Sequence, residues 1–368
     1  MKLRRLALQN FRNIALASLD FPGDRTALVG ANAQGKTNVL EAIGLLTALR
    51  SFRQADLSLL IAHGAAEAAL RFELEHERQG ATGVTLRLRP AGRELVVDGA
   101  PVTRLGDFLG RFPTVLFCSQ DLQLVRGGPG LRRRWLDLVL AAMDGAYLDA
   151  LQRHHRALAG RNRLLKERSD PAQLAAFEAP LAAAAAELVR ARRAGVSNLS
   201  IQLAAAYAGL AHGGEPAALA YVPDADVDDP AAWTELLAAG RERDLALRTT
   251  LRGPHRDDLD LRLDGRPGRD FGSEGQQRSL VLALRLAQLG YFHERSGIRP
   301  VVLADDVLGE LDPARRRRFW DALPPGLQVF ATGTTAPDVV AAGGWQLWHV
   351  ERGAFAAAAA PGPLEVNA

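Results

Sequence analysis

Gly30-Ala31-Asn32-Ala33-Gln34-Gly35-Lys36-Thr37 is the stretch on which the fold turns. It fits G-x-x-x-x-G-K-[ST], in which loop amides and a helix N-terminus cradle phosphates, the lysine reaches the β- and γ-phosphates, and the threonine hydroxyl holds Mg2+. The flanks are those such a loop needs. Thr26 to Gly30 is a short apolar run, and between Thr37 and Arg50 the apolar residues Val39, Leu40, Ile43, Leu45 and Leu46 recur at helical spacing. All eight residues from Gly30 to Thr37 are therefore candidate nucleotide contacts. Lysine usage points the same way, because of 45 basic residues only Lys2, Lys36 and Lys166 are lysine. A chain that writes nearly every cation as arginine has a compact ammonium at position 36. Chance placement and a plain glycine turn before a helix are the bland alternatives, and the rest of the chain decides between them.

A phosphate loop needs a metal carboxylate at the end of a neighbouring strand, and Val301-Val302-Leu303-Ala304-Asp305-Asp306 supplies one. Asp305 is the expected Mg2+ partner beside Thr37, and Asp306 stands where a second carboxylate orients or deprotonates the attacking water. Asp-Asp after an apolar strand is also a common turn. Between the two segments lies Phe271-Gly272-Ser273-Glu274-Gly275-Gln276-Gln277, directly before a long amphipathic stretch. There Ser273 and the following amides make an anion site at the helix's positive end, although a serine N-cap explains the same residues. The order is what carries the inference. Phosphate loop, Ser-x-Gly-Gln at a helix start, apolar-Asp-Asp and then Glu310-Leu311-Asp312 is the layout of ATP-binding-cassette heads. The expected fold is α/β, an ABC-type P-loop ATPase head with an inserted, mainly helical lobe. Ser273, Gly275, Gln276 and Asp312 join the candidate ATP contacts.

Working outward, residues 2 to 9 and 13 to 20 alternate as strands do, residues 67 to 98 read as hairpins with turns at Gly80, Gly83 and Asp98-Gly99, and Pro113 to Cys118 is a short buried strand. From about 119 to 240 the chain is rich in Ala, Leu and Arg with helical periodicity. Strand character returns at Asp258 to Leu263, a long helix fits Gln276 to Glu294, and Val301 to Ala304 and Gln328 to Ala331 are buried strands. This predicts a head built from residues 1–118 and 250–355, a helical lobe over 119–249, and an Ala/Pro-rich flexible tail over 356–368.

Composition excludes several classes. The chain has 368 residues, 48% of them hydrophobic and 24% charged, with mean hydropathy −0.06 and no uninterrupted apolar run of about 18 residues. Gln9, Asn10 and Arg12 interrupt the N-terminus before a secretory apolar segment forms. Cys118 is alone and no Cys/His cluster has zinc spacing. A cytoplasmic protein without a membrane partner is expected. Net charge is only +3, but between Arg126 and Arg168 ten cations face four anions. Such segregation suits a phosphate-backbone footprint, with Arg132, Arg133, Arg134, Arg153, Arg156, Arg161 and Arg163 as candidate DNA contacts; a solvated helix face fits the charge equally well. His154 and His155 within this run read as surface residues.

The chain resembles the RecF family of bacterial DNA-repair ATPases. The resemblance rests on Gln9-Asn10-Phe11-Arg12-Asn13, the phosphate loop, Ser51-Phe52-Arg53, Gln120-Asp121-Leu122 leading to Val125-Arg126-Gly127, and Pro129 to Asp137. It continues through Gly253-Pro254-His255-Arg256-Asp257-Asp258, the Ser273 signature, Asp305 to Asp312, and Thr332. It implies an ATP- and Mg2+-dependent homodimer at single-strand gaps and duplex junctions, with weak DNA-stimulated hydrolysis, acting with the RecO and RecR proteins to load recombinase in gap repair, replication and the SOS response. It also implies catalytic roles for Lys36, Asp306 and Gln120, the last as a lid-loop glutamine. Glu274 departs from the uncharged residue frequent there and places a carboxylate near the expected γ-phosphate. Ala331-Thr332-Gly333-Thr334 has no transporter-style switch histidine, which argues against the peripheral ATPase of a membrane transporter. The absence of sustained heptads argues against an SMC-like clamp.

Overall fold

A computed structural model describes the chain except for residues 54–55, 168–170, 212–213, 307–310, 336–343 and 358–368. The described residues fall into two compact units, Met1–Gln120 with Phe292–Ala368, and Asp121–Tyr291.

The first unit contains two six-stranded sheets. One is antiparallel, in the order β2 (Ile14–Asp20), β1 (Lys2–Phe11), β4 (Ala68–His76), β5 (Gly80–Arg89), β6 (Gly92–Val97), β7 (Ala100–Pro101). The other runs β15 (Ala354–Ala357), β14 (Gln346–Glu351), β3 (Arg25–Val29), β13 (Val329–Gly333), β12 (Val301–Asp305), β8 (Thr114–Cys118), with every pairing parallel except β14 with β15. The patterns follow burial. In β4 and β5 alternate residues are buried, as in a sheet with one wet face, whereas Val301–Ala304 and Val329–Ala331 are buried without interruption, as in a parallel sheet covered on both faces. One core gathers Leu6 and Leu8 of β1, Phe72 of β4, Val39 and Ile43 of helix Lys36–Ala48, and Leu28, Leu303 and Phe330 of the parallel strands. The phosphate-loop helix is thereby fixed against apolar side chains from both sheets. Gly83, expected at a turn, is inside β5 opposite Glu73, whereas Asp98-Gly99 is the expected turn, between β6 and β7, with both residues at positive φ.

The second unit is mainly helical: Pro129–Met143, Gly145–Glu167, Pro171–Leu210 and Pro230–Ala239 are its longer helices besides the start of Glu274–Ser296. It also holds a three-stranded sheet, β11 (Arg266–Pro267), β10 (Asp258–Leu263), β9 (Ala217–Val222). β9 lies inside the stretch expected to be helical, and its pairing with β10 runs from Ala217↔Leu263 to Val222↔Asp258. That ladder corrects the expected boundary, since residues 250–291 cluster with the second unit and not with the head. Helix Pro171–Leu210 has the length and hydropathy of a membrane span, yet half of that window is buried in protein and it carries the buried charges Glu178 and Arg192. Its apolarity serves a core. β15 reaches Ala357, two residues into the expected tail; the remainder, 358–368, lies outside the described residues.

Candidate nucleotide site and basic lobe

The phosphate loop leaves the C-terminal end of β3 and enters helix Lys36–Ala48. Two of its glycines answer to geometry. Gly35 caps the helix at φ 116°, where a Cβ would also meet Asn13 Oδ1 at 2.9 Å, and a Cβ on Gly30 would lie 2.2 Å from the Val350 carbonyl oxygen. The apex is clasped by two hairpin turns. Asn13 Nδ2 and the Gly353 amide donate to the Gln34 carbonyl at 3.2 and 2.8 Å, and the Arg352 amide donates to Gln34 Oε1 at 2.7 Å. Lys36 is buried, and its ammonium donates to the carbonyls of Gly30 at 2.7 Å and Ala31 at 2.8 Å. No carboxylate pairs with it among the described residues.

Thr37 Oγ1 donates to Asp305 Oδ1 at 2.8 Å. β8, β12 and β13 lie side by side in parallel register, so Cys118 stands opposite Asp305 and Ala331 opposite Ala304. This places Gln120, exposed on the turn after β8, and Thr332 at the same sheet edge as the two aspartates. Thr332 Oγ1 donates to Asp305 Oδ1 at 2.9 Å and accepts from the Asp306 amide at 2.9 Å, and Asp306 itself adopts a left-handed backbone with φ 52°. Burial pushes the Asp305 carboxyl above the usual range, opposed by the hydroxyls of Thr37 and Thr332 and reinforced by Asp306. Neither aspartate has an ion-pair partner among the described residues. A carboxylate and a hydroxyl sharing a sheet edge are hard oxygen donors of the kind that suit Mg2+, which keeps several waters and takes phosphate oxygens for the rest. Asp312 instead caps helix Pro313–Ala322, accepting from the Arg315 amide at 2.8 Å. Val307 to Glu310 lie outside the described residues.

In the second unit Ser273 and Gln276 form a reciprocal capping box on helix Glu274–Ser296. The Gln276 amide donates to Ser273 Oγ at 3.3 Å and the Ser273 amide to Gln276 Oε1 at 2.8 Å. The turn before it is knitted by Gln277, whose Nε2 donates to the Arg269 and Gly272 carbonyls at 2.9 and 3.0 Å while its Oε1 accepts from Arg126 Nε at 2.6 Å. Glu274 pairs with Arg278 one turn along at 3.0 Å, which holds its carboxyl below the usual range. Sequence reasoning missed Gln277 and the Gln34 clasp; their only trace was membership of segments already singled out.

The arginines separate sharply. Arg132 is buried and gives a two-pronged pair to Asp258, Nε to Oδ1 at 2.7 Å and Nη2 to Oδ2 at 2.8 Å, with Nη1 on the Gly127 carbonyl. Arg161 is wholly buried between Asp244 at 2.6 Å and Glu178 at 3.1 Å. Both were expected to contact DNA, and both are turned inward onto carboxylates. Arg133 donates to the Asp257 carbonyl and Arg153 pairs with Glu187. Arg134, Arg156 and Arg163 are exposed and have no ion pair among the described residues; Arg168 lies outside them. His155 is exposed as expected, but His154 is buried beside His255, ring centroids 5.9 Å apart, and its Nε2 has no hydrogen-bond partner among the described residues. The Gly253–Asp258 segment is a hub of the same kind. Asp257 accepts from Arg192 at 2.7 Å, from the Tyr221 hydroxyl and from the Asp224 amide at 2.9 Å.

Residues 2–335 match the family profile described as RecF/RecN/SMC N terminal domain. The chain is 39% identical over 383 residues to the DNA replication and repair protein RecF of Synechococcus sp. (strain JA-3-3Ab), covering 99% of this chain and all of that one. It is 38% identical to the RecF of Geobacter metallireducens, covering 96% and 99%. Among solved structures it is similar to the recombination mediator protein RecF with ATP, at TM-score 0.88 and 29% identity over 97% of both chains. A Smc head bound to ScpA matches at TM-score 0.57 and 17% identity, a likeness of fold alone. The chain has the ABC-like ATPase head fold and belongs to the RecF family.

Proposed function

We propose that the chain is an ATP-dependent DNA-binding protein of replication and recombinational gap repair, which dimerises on ATP and hydrolyses it slowly. The observation that carries this reading is the triad Lys36, Thr37 and Asp305: a buried ammonium held by its own loop's carbonyls, beside a hydroxyl and a carboxylate 2.8 Å apart that have no ion pair among the described residues. Lys36 exchanges those carbonyls for phosphate oxygens, the loop amides bind the remaining oxygens, and Thr37 with Asp305 holds Mg2+, whose chemistry is to offset charge on the leaving phosphates. Asp306 accepts the proton of the attacking water, and Gln120 helps to order that water. Ser273, Gly275 and Gln276, at a helix N-terminus, complete the site of a second copy, and Asp312 is a further contact to ATP.

DNA affinity comes from the exposed cations of the second unit. Arg156 and Arg163 are seven apart on helix Gly145–Glu167 and share one face with Lys166, and Arg134 is exposed on helix Pro129–Met143. The similar solved structures are described as a recombination mediator in the RecFOR pathway, which supports RecO and RecR as partners; recombinase loading and a link to the SOS response are part of the same proposal. A cytoplasmic location follows from that role. Nucleotide-dependent sedimentation with and without gapped DNA tests the proposal. The parent chain should dimerise on ATP and co-sediment with DNA. Lys36→Ala should lose nucleotide affinity at least a hundredfold while staying folded, because a charge-assisted contact to phosphate is lost. Asp306→Asn should bind ATP, hydrolyse it slowly and persist on DNA. Undiminished nucleotide binding by a folded Lys36→Ala chain would sink the site assignment.

A further inference from the structure

Thr332 is buried at the end of β13 and its hydroxyl is bonded to both aspartates of the site. Its hydroxyl has one hydrogen and two lone pairs, and both kinds of capacity are used. The hydrogen goes to Asp305 Oδ1, the same oxygen that receives the Thr37 hydroxyl. A lone pair receives the Asp306 amide. That amide belongs to a residue with φ 52°, a backbone region that residues with a Cβ seldom adopt, and the β12 ladder ends at Asp305. Without the Thr332 oxygen the Asp306 amide has no other partner among the described residues, and the left-handed turn loses the bond that fixes it.

We propose that Thr332 is a positioning residue for hydrolysis: its hydroxyl ties the Asp305 carboxylate to the Asp306 peptide, and so sets the direction in which the Asp306 side chain leaves the strand. The proposal rests on the reading of Asp306 as the residue that handles the attacking water. It explains why a head lacking a histidine after its last core strand still carries a polar, buried hydroxyl there. A group that accepts a proton from water must be placed to within fractions of an ångström, and a misplacement of about 1 Å costs on the order of a hundredfold in rate.

The test uses the full chain with ATP, Mg2+ and gapped DNA. Thr332→Val keeps the shape and removes both bonds; Thr332→Ser keeps both bonds. The expected result is a kcat about ten- to a hundredfold lower in Thr332→Val with KM changed less than about threefold, and at least half of the parent kcat in Thr332→Ser. In the Asp306→Asn background Thr332→Val should cause no further loss of kcat, since the group it positions is already gone. If Thr332→Val does not fold, Thr332→Ala takes its place with the same expectations. An unchanged kcat in the folded variant overturns the proposal while leaving the Asp306 assignment standing. An equal loss in the Asp306→Asn background, or failure of Thr332→Ser to retain activity, assigns Thr332 a merely structural role and also overturns it. Full hydrolysis by Asp306→Asn alone overturns the underlying reading instead.

Discussion

Asp305-Asp306 and Asp257-Asp258 are the same dipeptide in two units of one chain, and the structure treats them in opposite ways. In the second unit each carboxylate is matched to a guanidinium, Asp257 to Arg192 at 2.7 Å and Asp258 to Arg132 at 2.7 Å. In the first unit the pair's hydrogen bonds among the described residues come from hydroxyls and an amide, no ion pair forms there although Arg53 is near enough to favour the charge, and burial pushes Asp305 above its usual range. Asp305 is half-buried and Asp306 exposed, and a half-buried carboxylate without an ion pair is the arrangement expected where a cation is to be bound. The completed pair belongs to the scaffold, and the incomplete pair is the one expected at the proposed site.

Stability measurements should give the two pairs opposite signs. Asp257→Ala leaves the buried Arg192 short of one of its two carboxylates and should cost about 3–5 kcal/mol, read from denaturant unfolding of the nucleotide-free chain. Asp305→Asn should be neutral or stabilising in that state at pH 7, and the sign follows from its raised pKa. Between the unfolded value near 3.8 and the higher folded value, the folded state holds a proton that the unfolded state has released, so ionisation lowers stability as pH rises. A large loss from Asp305→Asn would break the contrast.

The second expected effect is on the acid side of the lobe. Burial, aided by His255, Arg192 and His155, lowers His154 from about 6.5 to about 3. Between those values the unfolded state binds a proton that the folded state refuses, so stability is intact above pH 6.5 and is lost as pH falls. At pH 5 the loss is about 2 kcal/mol. His154→Leu should shrink the difference in unfolding free energy between pH 7.5 and 5 by that amount. An unchanged difference would mean that another group controls acid unfolding.

The smallest effect separates the two kinds of arginine. Replacing Arg134, Arg156 and Arg163 by Ala should flatten the log-log dependence of DNA affinity on salt by about 0.9 per lost phosphate contact. Folded Arg132→Lys should leave that slope unchanged, because Arg132 is committed to Asp258. Equal slopes in the parent and the triple variant would show that the exposed arginines face solvent.

Much of the head was legible because its apolar runs end on residues with chemistry: Val29 before the loop, Ala304 before Asp305, Ala331 before Thr332. What stayed hidden depended on distant partners. Arg132 and Arg161 have the same local context as exposed arginines; Arg132 is drawn inward by a carboxylate 126 positions away and Arg161 by carboxylates 83 and 17 positions away. β9 was hidden for a different reason, since Ala217-Ala218-Leu219-Ala220 has little intrinsic strand preference and becomes a strand only against β10. Ser273 was read in two senses, as an N-cap and as a candidate ligand; the structure shows the cap, and the residues for one are the residues for the other.

That double reading has a chemical resolution. As a helix cap Ser273 uses an oxygen lone pair, which accepts the Gln276 amide, and leaves its hydroxyl hydrogen uncommitted to that cap. An aspartate would cap as well but would have no hydrogen to give and would carry a charge that repels anions. With serine, the bond that starts the helix and a bond offered outward draw on different parts of one hydroxyl, so an arriving anion does not have to unfasten the helix to be held by it.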